Sequence, residues 1–575
     1  MSLERLKTDI LILGSGGAGL FAALHALKAN PDLEVTIASK GLLGKCGCTR
    51  MVQGGYNVAL NPGDSVERHF MDTIEGGKWL PHQELAWTLV STAVERVREL
   101  ENEIGCFFDR NPDGTLHGKA FAGQSFDRTV HKGDLTGIEI INRLMEQVWA
   151  RPVGRLEEHR AVALIPAADG ALAGVLMIDI RTGALRFVAA QAVLLATGGG
   201  PTMYRYHTPS GDKSMDGLAM ALRAGLRLRD MEMVQFHPTG LLAGAETRMT
   251  GTVLEEGLRG AGGHLLNGAM HRFMADYDDK LERATRDVVS RAIYAEMKAG
   301  RTTPHGGVYI KMDHLGPAKV AKEFKGMVER CRDCGFDLAG GLVEVVPTAH
   351  YFMGGVICWP DTSTDWPGLF VAGEDASGMH GANRLGGNGV ANSTVFGGIA
   401  GDEMPRFIAA DPGHREPDQH VLDAEVQRAL SPFGRKGGDL NDLRERLLAV
   451  MWDHVGLVRE RAGLDRAVAA LDSIEAELLA TGLADAGRAF NLTWQDWLNL
   501  RSLTEVSRVI ALAARKRENS RGAHFRSDFP EPGDLASSRF TVAQQTAAGL
   551  DITDEPVAFT HVRPGETLLD KVAAE

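Results

Sequence analysis

The sequence predicts an α/β protein, α+β in overall content. A Rossmann-like domain is interrupted by an inserted α+β capping domain and followed by a helical one. Three observations lead there. A glycine-rich turn joins an apolar run to a helical pattern near the N-terminus, a second glycine-rich stretch returns at 381–398, and apolar spacing becomes helical after 406. At 575 residues the chain is also too long for a single core.

Each element follows in turn. "TDILILGSGGAGLFAALHALKA" reads as a strand, a glycine turn and a helix, and "EVTIASK" as a second buried strand. Together they open a doubly wound sheet. A hydropathy scan flags Ile10 to Leu27 as a membrane span, but Gly14, Gly16, Gly17 and Gly19 break it into strand and helix. No span is therefore expected. "QAVLLATGGG" and "GLFVAGED" read as later strands of the same domain. Glycine-rich ligand segments so far apart imply an insertion within one nucleotide domain, placed at 235–352. Residues 1–234 and 353–406 are then the two parts of that domain. Leu440, Leu443, Leu447, Leu448 and Met451, then Leu464, Val468, Leu471 and Leu478, lie at helical spacing within a helical domain over 407–530. Residues 531–575 form a C-terminal extension.

Composition narrows the function. Hydrophobic content of 44% and charged content of 24% describe an ordinary globular protein. A net charge of -13 excludes a general nucleic-acid binder, which needs a phosphate-neutralising surface. Six cysteines without a repeating framework suit a reducing compartment, and "MSLERLKTDI" has no secretory pattern, so a cytoplasmic protein is expected. Cys331 and Cys334 form a lone pair, too few ligands for structural zinc, and no metal site is predicted.

Gly14-x-Gly16-x-x-Gly19 between strand and helix is a phosphate cradle, in which backbone N–H groups meet a pyrophosphate. Ser39 and Lys40 stand where an acidic ribose contact for NAD would end the second strand. NAD is therefore not supported.

"LILGSGGAGLFAAL", "QGG", "FAGQS", "ATGGG", "DGLAMALRAG", "VQFHPTG", "RGAGGHLLN", "TRDVVSRAI", "PTAHYFMGG", "GLFVAGED", "HGANRLGGN" and "SRGAHFRSDFPE" occur in that order over about residues 7–530. In these segments the chain resembles the flavoprotein subunit of succinate dehydrogenase and fumarate reductase, a superfamily that includes L-aspartate oxidase. The resemblance implies FAD, a substrate-capping insertion and a helical C-terminal domain. It also implies an oxidoreductase that adds or removes hydrogen across a C–C bond of a small carboxylic acid. Such chemistry needs hydride exchange at one carbon, a proton donor or acceptor at its neighbour, and clamps for carboxylates.

By that resemblance Arg286 is the proton shuttle, with Glu256 and Arg259 as its relay to solvent. An arginine acts as an acid only when burial and neighbours tune it, so the Glu–Arg pairing is physically sensible. His237, His350 and Arg384 match carboxylate-binding residues. The cofactor set comprises Gly14, Ser15, Gly16, Gly19, Ser39, Lys40, Cys48, Thr49, Gln53, Gly54, Gly55, Thr197, Gly198, Asp216, Glu374, Arg384, Asn388 and Ser393. Glu374 and Asp216 are acceptors suited to ribityl hydroxyls. Taken singly, each Arg–Glu pair could equally be a salt bridge and each His a packing residue. No iron–sulfur ligands are visible, so any cluster belongs to an iron–sulfur partner protein, which would hold the chain at the inner face of the membrane.

Two positions depart from the pattern. In respiratory members a histidine, followed by threonine, lies five positions before Gln-Gly-Gly and tethers FAD. Here Thr49 and Gln53-Gly54-Gly55 remain, but the tethering position is Cys48. A noncovalent flavin is expected, with a thioether to Cys48 as the alternative. A noncovalent flavin favours fumarate-like reduction, or oxidation of a substrate easier than succinate. The second departure is Glu255, where the family has a threonine that contacts a substrate carboxylate. A carboxylate there repels an anionic end group and favours an amine, hydroxyl, amide or aldehyde over a plain C4 dicarboxylate. Phe121, by contrast, fits the succinate dehydrogenase branch: aspartate oxidase has a glutamate there for the substrate ammonium, which leaves amino acid oxidation as the runner-up only. A further alternative is an electron-transfer flavoprotein that works only with its iron–sulfur partner.

Overall fold

The computed structural model describes residues 3–244 and 247–569, so the C-terminal extension is seen as far as 569. The strand Glu4–Leu13 lies inside the main sheet, parallel to Val35–Ser39 on one side and Leu185–Leu195 on the other. Ile10, Leu11, Ile12 and Leu13 are essentially inaccessible to solvent, as a strand covered on both faces requires. Gly154–Glu157 extends the sheet beyond Val35–Ser39, Leu172–Asp179 and His159–Pro166 extend it antiparallel beyond Leu185–Leu195, and Leu369–Val371 pairs parallel with Leu185–Leu195. Leu369–Val371 rejoins the sheet after the intervening segment, which is the interruption the sequence predicts.

The apolar stretch from Ile10 to Leu27 divides between this strand and the helix Gly17–Ala29. No helix among the described residues is long and apolar enough to cross a membrane. The helix Gly17–Ala29 packs against the long helix Asn388–Ala410. Gly397 and Gly401 make that approach close: a Cβ on either would stand 2.6 or 2.5 Å from the carbonyl oxygens of Ala18 and Ala22. Two distant stretches of sequence are thereby joined backbone to backbone.

Between them, Val234–Leu241, Leu342–Phe352, Val308–Lys311 and His264–Leu266 form a separate antiparallel sheet. It has its own core, which includes Leu254, Phe273, Ile293 and Val343. After the long helix come Gln419–Leu430, Leu440–His454, Arg461–Ala480 and Leu492–Lys516. Leu443, Leu447, Met451, Leu464, Leu471 and Leu478 are buried as their spacing predicts, while Leu440, Leu448 and Val468 are half-buried. The extension carries the hairpin Arg539–Thr546 and Gly549–Pro556, whose first strand pairs with Leu228–Arg229.

At the first turn Gly14 has φ of +119°, and a Cβ there would overlap the carbonyl oxygen of Ala196. Gly14→Ala is therefore expected to cost about 2–3 kcal/mol through backbone strain and overpacking. Urea denaturation measures this, and an unchanged midpoint would contradict the assigned backbone geometry.

Candidate active site

The strands Glu4–Leu13, Val35–Ser39 and Leu185–Leu195 run in one direction and release Gly14–Ser15, Ser39–Lys40 and Thr197–Gly198 into one cleft of about 540 Å³. This is the end of a parallel sheet where ligands bind. Ser15 Oγ donates to Ser39 Oγ at 3.2 Å, and the Gly17 amide donates to Thr49 Oγ1 at 3.1 Å. The Asp375 carboxylate accepts from the amides of Thr197 and Gly198, fixing the third turn. Gln53, Gly54, Gly55 and Ser393 complete this part of the wall, and Gly54 lies directly against the Phe121 ring.

Both acidic cofactor candidates reach the cleft, in different states. Glu374 accepts from the Phe352 amide at 2.8 Å, and burial pushes its carboxyl up to about 7. Burial also pushes Asp216 upward, but Arg160 at 2.6 Å and Lys40 at 3.1 Å outweigh it and hold the carboxyl well below its ordinary value. Asp216 thus meets the cleft as an ion-paired group.

Two cofactor candidates do not line the cleft. Gly19 lies behind the turn, where the absence of a side chain lets the first helix approach the Gly14 carbonyl. Asn388 is spent on packing: Asn57 donates to its oxygen at 2.8 Å, His69 Nε2 lies 3.0 Å from that oxygen, and its amide donates to Thr73 Oγ1 at 3.1 Å. It therefore joins the long helix to its neighbours instead of facing the cofactor space.

The remaining wall holds the charged residues. Arg286 opens the helix Arg286–Lys298, and Glu256 caps the short helix Gly257–Gly260, so that Arg259 falls one turn beyond Glu256. Arg286 donates to Glu256 Oε2 through Nη2 at 2.6 Å and Nε at 3.0 Å. Its third nitrogen donates to Gln235 Oε1 at 3.0 Å. Arg259 donates to the other Glu256 oxygen at 3.0 Å and, from behind the cleft, to the Glu282 carbonyl at 2.6 Å. Burial opposes the Glu256 charge, but the guanidiniums of Arg286 and Arg259 prevail and lower its carboxyl. Burial lowers Arg259 despite Glu256. The result is a continuous, desolvated Arg–Glu–Arg chain with one end at the cleft.

His237 and His350 stand beside it with ring centroids 5.3 Å apart. Burial, and then the positive Arg286, push both well below the ordinary imidazole value, so both are neutral. His350 Nδ1 lies 2.9 Å from Thr208 Oγ1. The Arg384 guanidinium stacks 4.2 Å from the Tyr351 ring centroid, and burial lowers it to about 10. Glu255 is 1% exposed, and burial pushes it up to about 7. Lys119 Nζ is 3.6 Å from its Oε1.

Several cleft residues escape a reading of the sequence. Arg330 enters from the helix Lys325–Asp333 and donates to the Val253 carbonyl at 2.8 Å. Lys213 and Tyr351 also line the cleft, as does Arg160, the partner of Asp216. Only the run PTAHYFMGG, which contains Tyr351, carries any local signal. Cys331 and Cys334 are free thiols, and no metal-binding group of His, Cys, Asp or Glu occurs among the described residues.

The residues present fit FAD. Amides gather at the amino end of the first helix, as a pyrophosphate needs. Gln53 Oε1 and Arg384 Nε are buried at the cleft without a protein partner, which leaves polar atoms for a ligand. Cradle, cleft and buried Arg–Glu–Arg chain define an FAD-dependent oxidoreductase.

The family model for the FAD binding domain matches residues 9–390, and that for the fumarate reductase flavoprotein C-term matches 444–568. The chain belongs to the fumarate reductase and succinate dehydrogenase flavoprotein family, whose reactions act on CH–CH groups. It is 40% identical over 535 residues to an uncharacterized FAD-dependent oxidoreductase of Methanocaldococcus jannaschii, covering 92% of this chain and 94% of that one. It is 38% identical to a fumarate reductase (CoM/CoB) chain of Methanothermobacter marburgensis, covering 92% and 96%. An Escherichia coli quinol fumarate reductase chain superposes with a TM-score of 0.92 at 31% identity, covering 98% and 99%.

Cys48 lines the cleft at the position where a flavin tether is expected. Burial, and then the Glu374 carboxyl, push its thiol up to about 12, so it stays protonated and is a poor nucleophile. Acid precipitation of the holoprotein should release FAD into the supernatant, and Cys48→Ala should retain a full flavin complement. Flavin left in the pellet, with an adduct mass on the Cys48 peptide, would establish the thioether.

Proposed function

We propose that this chain adds or removes hydrogen across the C–C bond next to a carboxylate, with Arg286 as the proton donor or acceptor. The observation that carries this reading is the buried chain Arg286–Glu256–Arg259 beside His237, His350 and Arg384. The hydride chemistry is that of bound FAD. Arg286 holds a proton at its guanidinium in the cleft, and Glu256 can replace it because both its oxygens contact arginines. Lending a proton leaves a neutral guanidine still held by Glu256, whose other oxygen stays paired with Arg259. His237, His350 and Arg384 orient the substrate carboxylate, and Phe121 over Gly54 closes the wall against water.

Gly14, Ser15, Gly16, Ser39, Lys40, Thr49, Thr197, Gly198, Asp216, Glu374 and Ser393 are the proposed cofactor contacts. The names of several relatives as flavoprotein subunits support a complex of more than one chain. We therefore place electron exchange with an iron–sulfur partner, and the chain in the cytoplasm at the inner face of the membrane through that partner.

Arg286→Lys keeps a positive charge but loses the fork that reaches both Glu256 and Gln235. Reduced-viologen oxidation with but-2-enoates differing at C4 (fumarate, 4-hydroxybut-2-enoate and 4-aminobut-2-enoate) should fall by about a hundredfold or more in kcat. Flavin content should stay normal. Wild-type turnover in the variant would remove Arg286 from this role.

A further inference from the structure

Glu255 and Glu256 are adjacent in sequence and equally sequestered, yet their carboxylates live differently. Glu256 uses both oxygens on arginines. Neither Glu255 oxygen has a hydrogen-bond partner, although the side chain is 1% exposed and lines the cleft. Lys119 Nζ, 3.6 Å away, is beyond a good hydrogen bond. The other charges acting on Glu255 are Asp134 and Glu256, both of which disfavour its ionised form. Its Oε1 lies beside the Cα of Gly257, where a Cβ would stand 3.0 Å from it. A buried carboxylate without donors is expensive, and such groups in folded proteins normally have a partner. The open side of Glu255 is the cleft.

A ligand group placed there must offer a hydrogen to an acceptor. A second carboxylate would instead meet like charge in a partly desolvated space, where repulsion is far stronger than in water. Arg384 Nε, also without a partner, offers a place for the carboxylate end. We propose that the preferred substrate is a monocarboxylate whose other end carries a hydrogen-bond donor, a protonated amine or a hydroxyl, received by Glu255. This rests on the cleft being the carboxylic-acid site described above, and it makes Glu255 the residue that separates such substrates from dicarboxylates.

Three probes on one carbon skeleton test it: fumarate, 4-hydroxybut-2-enoate and 4-aminobut-2-enoate. Dissociation constants for the oxidised holoprotein at pH 8 are read by calorimetry and flavin absorbance, independently of turnover. The amine or the alcohol should bind at least about tenfold more tightly than fumarate, the usual worth of one hydrogen bond to a charged group. Glu255→Gln and Glu255→Thr should each erase that preference, and Glu255→Thr should tighten fumarate. The proposal falls if wild-type protein binds fumarate as tightly as the other probes, if the preference survives both variants, or if no probe binds. The wild-type comparison decides the matter even if a variant does not fold. Turnover is scored separately: reduction of fumarate with fumarate preferred sinks this proposal and keeps the oxidoreductase reading. Selective binding without reduction of any probe does the reverse.

Discussion

The site depends on the contact between the first helix and the long helix Asn388–Ala410. Their backbones touch because Gly397 and Gly401 present no side chain to Ala18 and Ala22. Gly398 makes similar room for the Arg96 guanidinium, which pairs with Glu99 at 2.9 Å, while His25 Nδ1 meets Asp402 at 2.9 Å. Apolar contact sets the distance, and the buried polar pairs fix the register. Residues at the amino-terminal ends of both helices, Ser15 to Ala18 on one and Gly389, Val390 and Ser393 on the other, line the same cleft. Two positive helix ends therefore converge where an anionic cofactor is to lie.

The segment before the long helix needs a separate restraint, and the C-terminal run SRGAHFRSDFPE supplies it. Gly522 packs against the Ala382 carbonyl and accepts at its own carbonyl from Arg291 at 2.8 Å, in the helix that Arg286 begins. Arg526 is fully buried, bound to Asp528 and to the carbonyls of Ala514 and Arg517. Arg459 links the Glu232 carbonyl to His524. Buried guanidiniums on carbonyl oxygens are costly to desolvate, so they hold only where every neighbour is in place. That strictness specifies one position for the loop carrying Arg384.

The parts of this arrangement legible in sequence are those that depend on local chemistry. Glycines at a strand–helix turn, a glutamate three residues before an arginine, and apolar residues at helical spacing are each visible within one window. Partnerships across the fold are not. Asn388 sits among cofactor residues in sequence, yet its amide is consumed by Asn57, His69 and Thr73 from remote segments. Asp216 reads as a free acceptor until Arg160 and Lys40 stand beside it. Arg330 reaches the cleft from a helix whose own pattern indicates only amphipathic packing. The departure at Glu255 is readable, but not that both its oxygens lack donors.

The electrostatics of the cleft make the neutral histidines informative. Arg286 and Arg259 share the carboxylate of Glu256, while Arg384 makes no ion pair among the described residues, so that wall is rich in positive charge without further protons. Protonating His237 or His350 would add to it in a desolvated space, and both imidazoles are accordingly held neutral. A neutral imidazole can donate one hydrogen to a carboxylate while leaving the long-range attraction to the arginines. The entering anion then offsets a charge that the fold has already desolvated, and does not have to displace an internal counter-ion. Next to Glu256, the buried Glu255 also lines the cleft, with no hydrogen-bond donor on either oxygen. A carboxylic acid bound in the proposed mode would meet the arginines with its carboxylate and Glu255 with its other end, so the chemistry of that second end group would decide how it sits against Arg286.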